Sequence, residues 1–141
     1  MIDVLVAVPW RDRGDEVAEA SRDFVVEHLS TMFGRRVWLV DSPLERWSLS
    51  AARNEAVRLA AGAGADVVFI CDADTIVEED AALAAVELAA EIRRVVLPFT
   101  LFRALTPAAS QAVLEGFPPR GVPDGGSLTW SVGGVQAVSY T

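Results

Sequence analysis

The chain of 141 residues contains no lysine; all 12 of its basic residues are arginine. Its single cysteine, Cys71, excludes an intramolecular disulfide and any zinc site built on several cysteines. At the end of an apolar run, Cys71 reads as a small core filler. The single histidine, His28, falls in a helix-patterned stretch and gives no supporting spacing for a Ser-His-Asp assembly. No apolar stretch approaches the roughly 20 residues that span a bilayer. The start, Met1-Ile2-Asp3-Val4-Leu5, lacks the basic region of a signal peptide. The expectation is a cytoplasmic chain with no membrane span. Also missing are a Gly-x-Gly-x-x-Gly after the first strand and a phosphate loop ending in Lys-Ser or Lys-Thr, which argues against the common dinucleotide and triphosphate readers. A net charge of −8 disfavours nucleic acid but leaves room for a nucleotide bound through a metal ion.

What is present is apolar and regularly punctuated. A hydrophobic content of 52% predicts one folded domain over residues 1–141. Val4 to Val8 reads as a first strand stopped by Pro9, followed by a helix near Glu16 to Met32 and a stop at Gly34. Arg36 to Val40 is a second strand ending at Asp41-Ser42-Pro43. Ser48 or Ser50 caps the next helix, which runs to about Ala61. Val67 to Cys71 is a third strand, Glu79 to Ile92 a helix, and Val95 to Phe99 a fourth strand. Thr106 caps a short helix to about Leu114, Phe117 to Gly126 reads as a loop, and two extended pieces surround Gly133-Gly134. The alternation predicts an α/β fold, a doubly wound, mostly parallel sheet with helices on both faces.

The most informative run is Val67-Val68-Phe69-Ile70-Cys71-Asp72-Ala73-Asp74-Thr75. A strand buried on both faces ends in two carboxylates, at the edge where open α/β sheets bind ligands. Asp72 and Asp74 offer hard oxygen ligands for Mg²⁺ or Mn²⁺, ions usually shared with substrate phosphates. The plainer alternative makes Asp72 a turn cap and Asp74 a solvated side chain. Pro9-Trp10-Arg11 and Asp41 end the first two strands on the same edge. An arginine, a lone carboxylate and a carboxylate pair there suit a nucleotide diphosphate. Arg53 and Asn54, near the start of the second helix, suit an anionic ligand; alternatively Arg53 forms a surface ion pair with Glu55 or Glu45.

These pieces, in this order, resemble the GT-A glycosyltransferases, especially the inverting family 2 type. Val6-Ala7-Val8-Pro9-Trp10-Arg11-Asp12-Arg13 is similar to the family's first strand and nucleotide loop, and Val40-Asp41 to its base-contacting aspartate. Ala52-Arg53-Asn54-Glu55-Ala56 is similar to its Ala-Arg-Asn-x-Ala helix, and Asp72-Ala73-Asp74 to its Asp-x-Asp motif. Trp130 to Val138, with Gly133 and Gly134, resembles the segment entering the acceptor side. The resemblance implies a nucleotide-diphosphate sugar as donor and an acceptor hydroxyl. It places Asp72 near ribose and sugar, and Asp74 on the divalent ion. It also assigns residues 1–100 to donor binding and 101–141 to the start of the acceptor region. In the family a helix and an acidic general base follow the Gly-Gly segment. Thr141 stands seven residues after Gly134, and Asp124 is the candidate base here. A truncated enzyme and a noncatalytic nucleotide-sugar binding module are the alternatives this leaves open.

A haloacid-dehalogenase-type phosphatase would also use an apolar strand ending in Asp-x-Asp-Thr. It expects that motif on the first strand, a downstream basic residue that is commonly lysine, and a later acidic pair. Here the motif is on the third strand, no lysine exists, and residues 95–141 offer only Glu115 and Asp124.

Overall fold

Six consecutive buried residues, Val4–Pro9, form strand β1, an interior strand of the sheet. A computed structural model describes residues 1–128 and 134–139 of the chain. Helix α1 (Glu16–Phe33) begins where the Asp15 carboxylate accepts the Val17 and Ala18 amides at 3.0 and 3.2 Å. It ends at Gly34, whose φ of 63° lies in the left-handed region that glycine enters without a Cβ clash. Strand β2 (Val37–Val40) leads to helix α2 (Leu49–Ala63), capped by Ser48, and then to β3 (Val67–Cys71). Helix α3 (Glu79–Ile92) and a two-residue strand, β4 (Val95–Val96), come next. Strand β5 (Phe102–Leu105), helix α4 (Pro107–Leu114), a 3-10 turn (Pro119–Gly121), β6 (Asp124–Leu128) and β7 (Val135–Val138) complete the described chain.

The chain forms two compact units, Met1–Pro98 with Gly133–Thr141, and Phe99–Val132. The larger unit holds a five-stranded sheet in the order β2-β1-β3-β7-β4. β1 runs parallel to both β2 and β3, while β7 runs antiparallel to β3 and β4. Alternation along the central strands sends side chains to opposite faces. Leu5, Ala7, Val68 and Ile70 pack with Ala56 and Ala60 of α2. Phe69 points the other way and meets Phe33 of α1, ring centroids 5.0 Å apart. Three fully buried alanines, Ala52, Ala56 and Ala60, let α2 approach closely. The sheet therefore carries helices on both faces.

The smaller unit pairs β5 with β6 antiparallel, the register slipping at Ala104/Leu105. Arg103 donates to the Pro119 and Val122 carbonyls at 3.2 and 2.7 Å, tying the 3-10 turn to β5.

The sheet is mostly parallel, as the alternation of elements predicts, and β7 is the strand that runs against the rest. Two expectations change. The fourth strand stops at Val96 rather than Phe99, since Pro98 has no amide to donate to a ladder. The stretch 117–126 is not all loop: it contains the 3-10 turn and opens β6, while β5 lies within a region of weak pattern. Among the described residues, no helix is long and apolar enough to cross a membrane.

Candidate functional site

Because β1, β2 and β3 are parallel, with Pro9 opposite Val40 and Ala7 opposite Ile70, the residues after them share one edge. The Trp10 amide donates to the Val40 carbonyl at 2.9 Å, so the first two strand ends are stitched together just before Arg11 and Asp41. Antiparallel β7 brings Gly134 to the same edge, where its carbonyl accepts the Asp72 amide at 2.7 Å. Gly134 has a φ of 86°, a conformation that disfavours a side chain.

Asp72 opens a tight turn: the Thr75 amide returns to the Asp72 carbonyl at 3.1 Å, with Ala73 and Asp74 at the turn's centre. Beneath it the buried Cys71 thiol donates to the Thr75 carbonyl at 3.2 Å. Burial, reinforced by the charges of Asp72 and Asp74, raises that thiol far above its usual range, so Cys71 acts as packing.

The Asp72 carboxylate is gripped by Arg53, whose Nη2 donates to Oδ1 at 2.9 Å and to Oδ2 at 2.8 Å. The two side chains are only 21% and 18% exposed. Burial pushes the Asp72 carboxyl above the usual carboxylate range, and Arg53 with a backbone hydrogen bond at Gly134 only partly opposes it. Arg53 Nε is buried and has no acceptor among the described residues. Such an atom asks for a further acceptor at this edge.

Asp74 stands two residues on and is exposed, and its carboxylate has no hydrogen-bond partner among the described residues. The turn thus separates two chemically different carboxylates. Asp72 is paired and held; Asp74 is exposed. Among the described residues no group of three or more His, Cys, Asp or Glu side chains converges. One free carboxylate beside a held one fits a hard divalent ion that takes most of its ligands from phosphate and water, as Mg²⁺ usually does. It does not fit an ion caged wholly by protein.

Arg11 and Asp41 meet at 2.8 Å through Nε. The same guanidinium donates to the carbonyls of Glu45 at 2.7 Å, Ser42 at 3.0 Å and Leu44 at 2.7 Å, and lies 5.9 Å from the Trp47 ring. Trp10 is stacked instead under Arg22, 4.7 Å away. Asn54 lies exposed on α2. Glu55 pairs with Arg58, so Arg53 takes neither of the partners, Glu55 and Glu45, that helix and loop proximity suggest. Asp124 opens β6 in the smaller unit, and its side chain lies outside the described residues. Gly133 and the segment Trp130–Val132 also lie outside them.

Sequence reasoning missed two features. Glu19 is raised mainly by a hydrogen bond with the Asp12 side chain, while Asp12 is lowered, first by the Gly14 amide that donates to it at 3.0 Å. His28 Nε2 sits 2.8 Å from the Val77 carbonyl, tying α1 to the segment that comes after the aspartates. A helical register places both, but only tertiary packing reveals their partners.

No protein-family model matches the chain, and no curated protein matches it. Among solved structures it is similar to the "crystal structure of a glycosyltransferase involved in the glycosylation of the major capsid of PBCV-1", with a TM-score of 0.45 and 12% sequence identity. The match covers 98% of this chain and 60% of that one, so the chain spans about three fifths of that protein's length.

Proposed function

We propose that this chain is a glycosyltransferase-type protein of the GT-A, family 2-like kind. Its doubly wound sheet would bind a nucleotide-diphosphate sugar for transfer to an acceptor hydroxyl. The observation that carries the reading is the division of labour in Asp72-Ala73-Asp74. Arg53 fixes one carboxylate, and the turn exposes the other at the edge where β1, β2 and β3 all end. The ordered resemblance of the first-strand loop, Asp41, Arg53-Asn54 and the two aspartates to that family supports it.

In this reading Asp74 holds a Mg²⁺ or Mn²⁺ ion that would neutralise the diphosphate as it leaves. Asp72, oriented by Arg53, accepts hydrogen bonds from ribose or sugar hydroxyls. In the same reading the buried Arg53 Nε and the exposed Asn54 face the anionic side of the donor. Inversion at the sugar carbon needs a carboxylate that takes the acceptor's proton, and Asp124 fills that role in the proposal.

Calorimetry with nucleoside diphosphates, with and without MnCl₂, tests the donor site. Release of free nucleotide from a panel of sugar donors then tests transfer. Asp74→Ala should abolish the metal-dependent part of binding and of the thermal shift, leaving the melting point of the free protein within experimental error; an unchanged metal dependence would refute Asp74's role. Metal-dependent binding with no turnover on any donor would reduce the assignment to a nucleotide-sugar binding module.

A further inference from the structure

We propose that Arg11 is a positioning residue: it builds the segment 41–47 from inside and does not itself meet the phosphates. The inference rests on the nucleotide-site reading only in what the segment serves; the clamp is a separate matter of geometry.

A guanidinium has five N–H donors in a fixed fork and no acceptor. In Arg11, Nε is spent on Asp41, one Nη1 hydrogen on the Glu45 carbonyl, and both Nη2 hydrogens on the carbonyls of Ser42 and Leu44. One donor remains. Three carbonyls within four residues converge on one side chain, in a stretch with neither helix nor strand to satisfy them. Asp41 adds an opposite charge and closes the turn further by accepting the Ser42 amide at 2.6 Å, while Ser42 Oγ accepts the Leu44 amide at 3.2 Å.

The clamp's reach extends through α2. The clamped segment leads directly into Ser48, whose hydroxyl caps that helix by accepting the Ala51 amide at 3.2 Å. Five residues later in the same helix comes Arg53, which holds Asp72. Arg11 therefore sets where α2 begins, and α2 carries the group that orients the first aspartate. A lysine cannot do this, because a point charge with three donors lacks the planar fork that reaches four acceptors.

Hydrogen exchange and calorimetry on the whole chain test the proposal, with Arg11→Lys and Arg11→Ala beside wild type. Both variants should speed exchange of the amides in 41–47 by tenfold or more, with the β1 and β3 amides unchanged. Exchange at wild-type rates in both would overturn the clamp. The binding probes are uridine, guanosine and adenosine, each compared with its diphosphate in MnCl₂. Both variants should weaken nucleoside and diphosphate by the same factor, about tenfold, since ordering a loop at the site is a cost common to both ligands. A loss confined to the diphosphates and restored by lysine would make Arg11 a phosphate contact and overturn the proposal. Loosened exchange with unchanged nucleoside affinity would also overturn the positioning role. If wild type binds no nucleotide, the nucleotide reading falls while the exchange rates still decide the clamp. Should the Arg11 variants fail to fold, Asp41→Asn, which removes the charged acceptor at Nε, should loosen 41–47 in the same direction.

Discussion

Two arginine–aspartate pairs stand on one edge of the sheet, and they do different work. Arg53–Asp72 is 21% and 18% exposed and joins a helix to the end of a buried strand. Arg11–Asp41 is 25% and 53% exposed, and most of its arginine's hydrogen bonds go to backbone carbonyls. The first pair matters through electrostatics, because a half-buried carboxylate must be neutralised. The second matters through backbone satisfaction, because a loop must find donors. The same two residue types thus serve as a charge lock in one place and a scaffold in the other.

The sharpest way to separate them is to remove each arginine. Arg53→Ala leaves Asp72 buried without its partner and should cost about 3 kcal/mol in urea unfolding. Arg11→Ala should cost only about 1 kcal/mol globally, since exposed pairs contribute little and the loop can borrow water. Equal losses would erase the distinction.

Next in size is the pH dependence of Asp72. Its native carboxyl lies above the ordinary value of 3.8 because of burial, so the folded chain keeps this proton when the unfolded chain has released it. The residue's contribution to stability is therefore fully present below 3.8 and is lost as pH rises through its native value. In stability measured from pH 3 upward, Asp72→Asn should lack that loss. The wild-type advantage over the variant should shrink as pH rises. A wild-type advantage that grows with pH would mean the Arg53 charge outweighs burial.

The smallest effect links the two pairs. Ser48→Ala removes the cap between the clamped segment and α2 and should cost about 1 kcal/mol. It should also weaken the metal-dependent nucleotide response less than Arg53→Ala does.

The legibility of these features in the sequence depends on their range. Strand β3 and its two aspartates are legible because five apolar residues and an abrupt polar end are local signals. So are the Thr106 cap of α4 and the Gly34 stop of α1. Strand direction is not a local property: nothing in Val135-Gln136-Ala137-Val138 says that it runs against its neighbours. β6 is hidden by Gly125 and Gly126, which read as loop. The convergence of Arg11, Asp41, Arg53 and Asp72 on one edge is legible from topology. Their pairings are not, because an arginine side chain reaches several acceptors and packing selects among them. Thus Glu55, on α2 beside Arg53, goes to Arg58, and Arg53 crosses to the sheet.

Strand β7 has a consequence for how the site comes into being. It inserts between β3 and β4, so Phe69 pairs with Ala137 across nearly half the chain. Pairing at that separation is slow, because the intervening loop must close before any contact rewards it. Until residues 135–138 arrive, Val67–Cys71 is paired with β1 on one side only and leaves an open, apolar edge on the other, the kind that sticks to other chains. The strand that delivers Asp72 and Asp74 is thus also a liability during synthesis. A fragment ending before Gly134 should aggregate through β3, and the final strand then serves the molecule as its own chaperone.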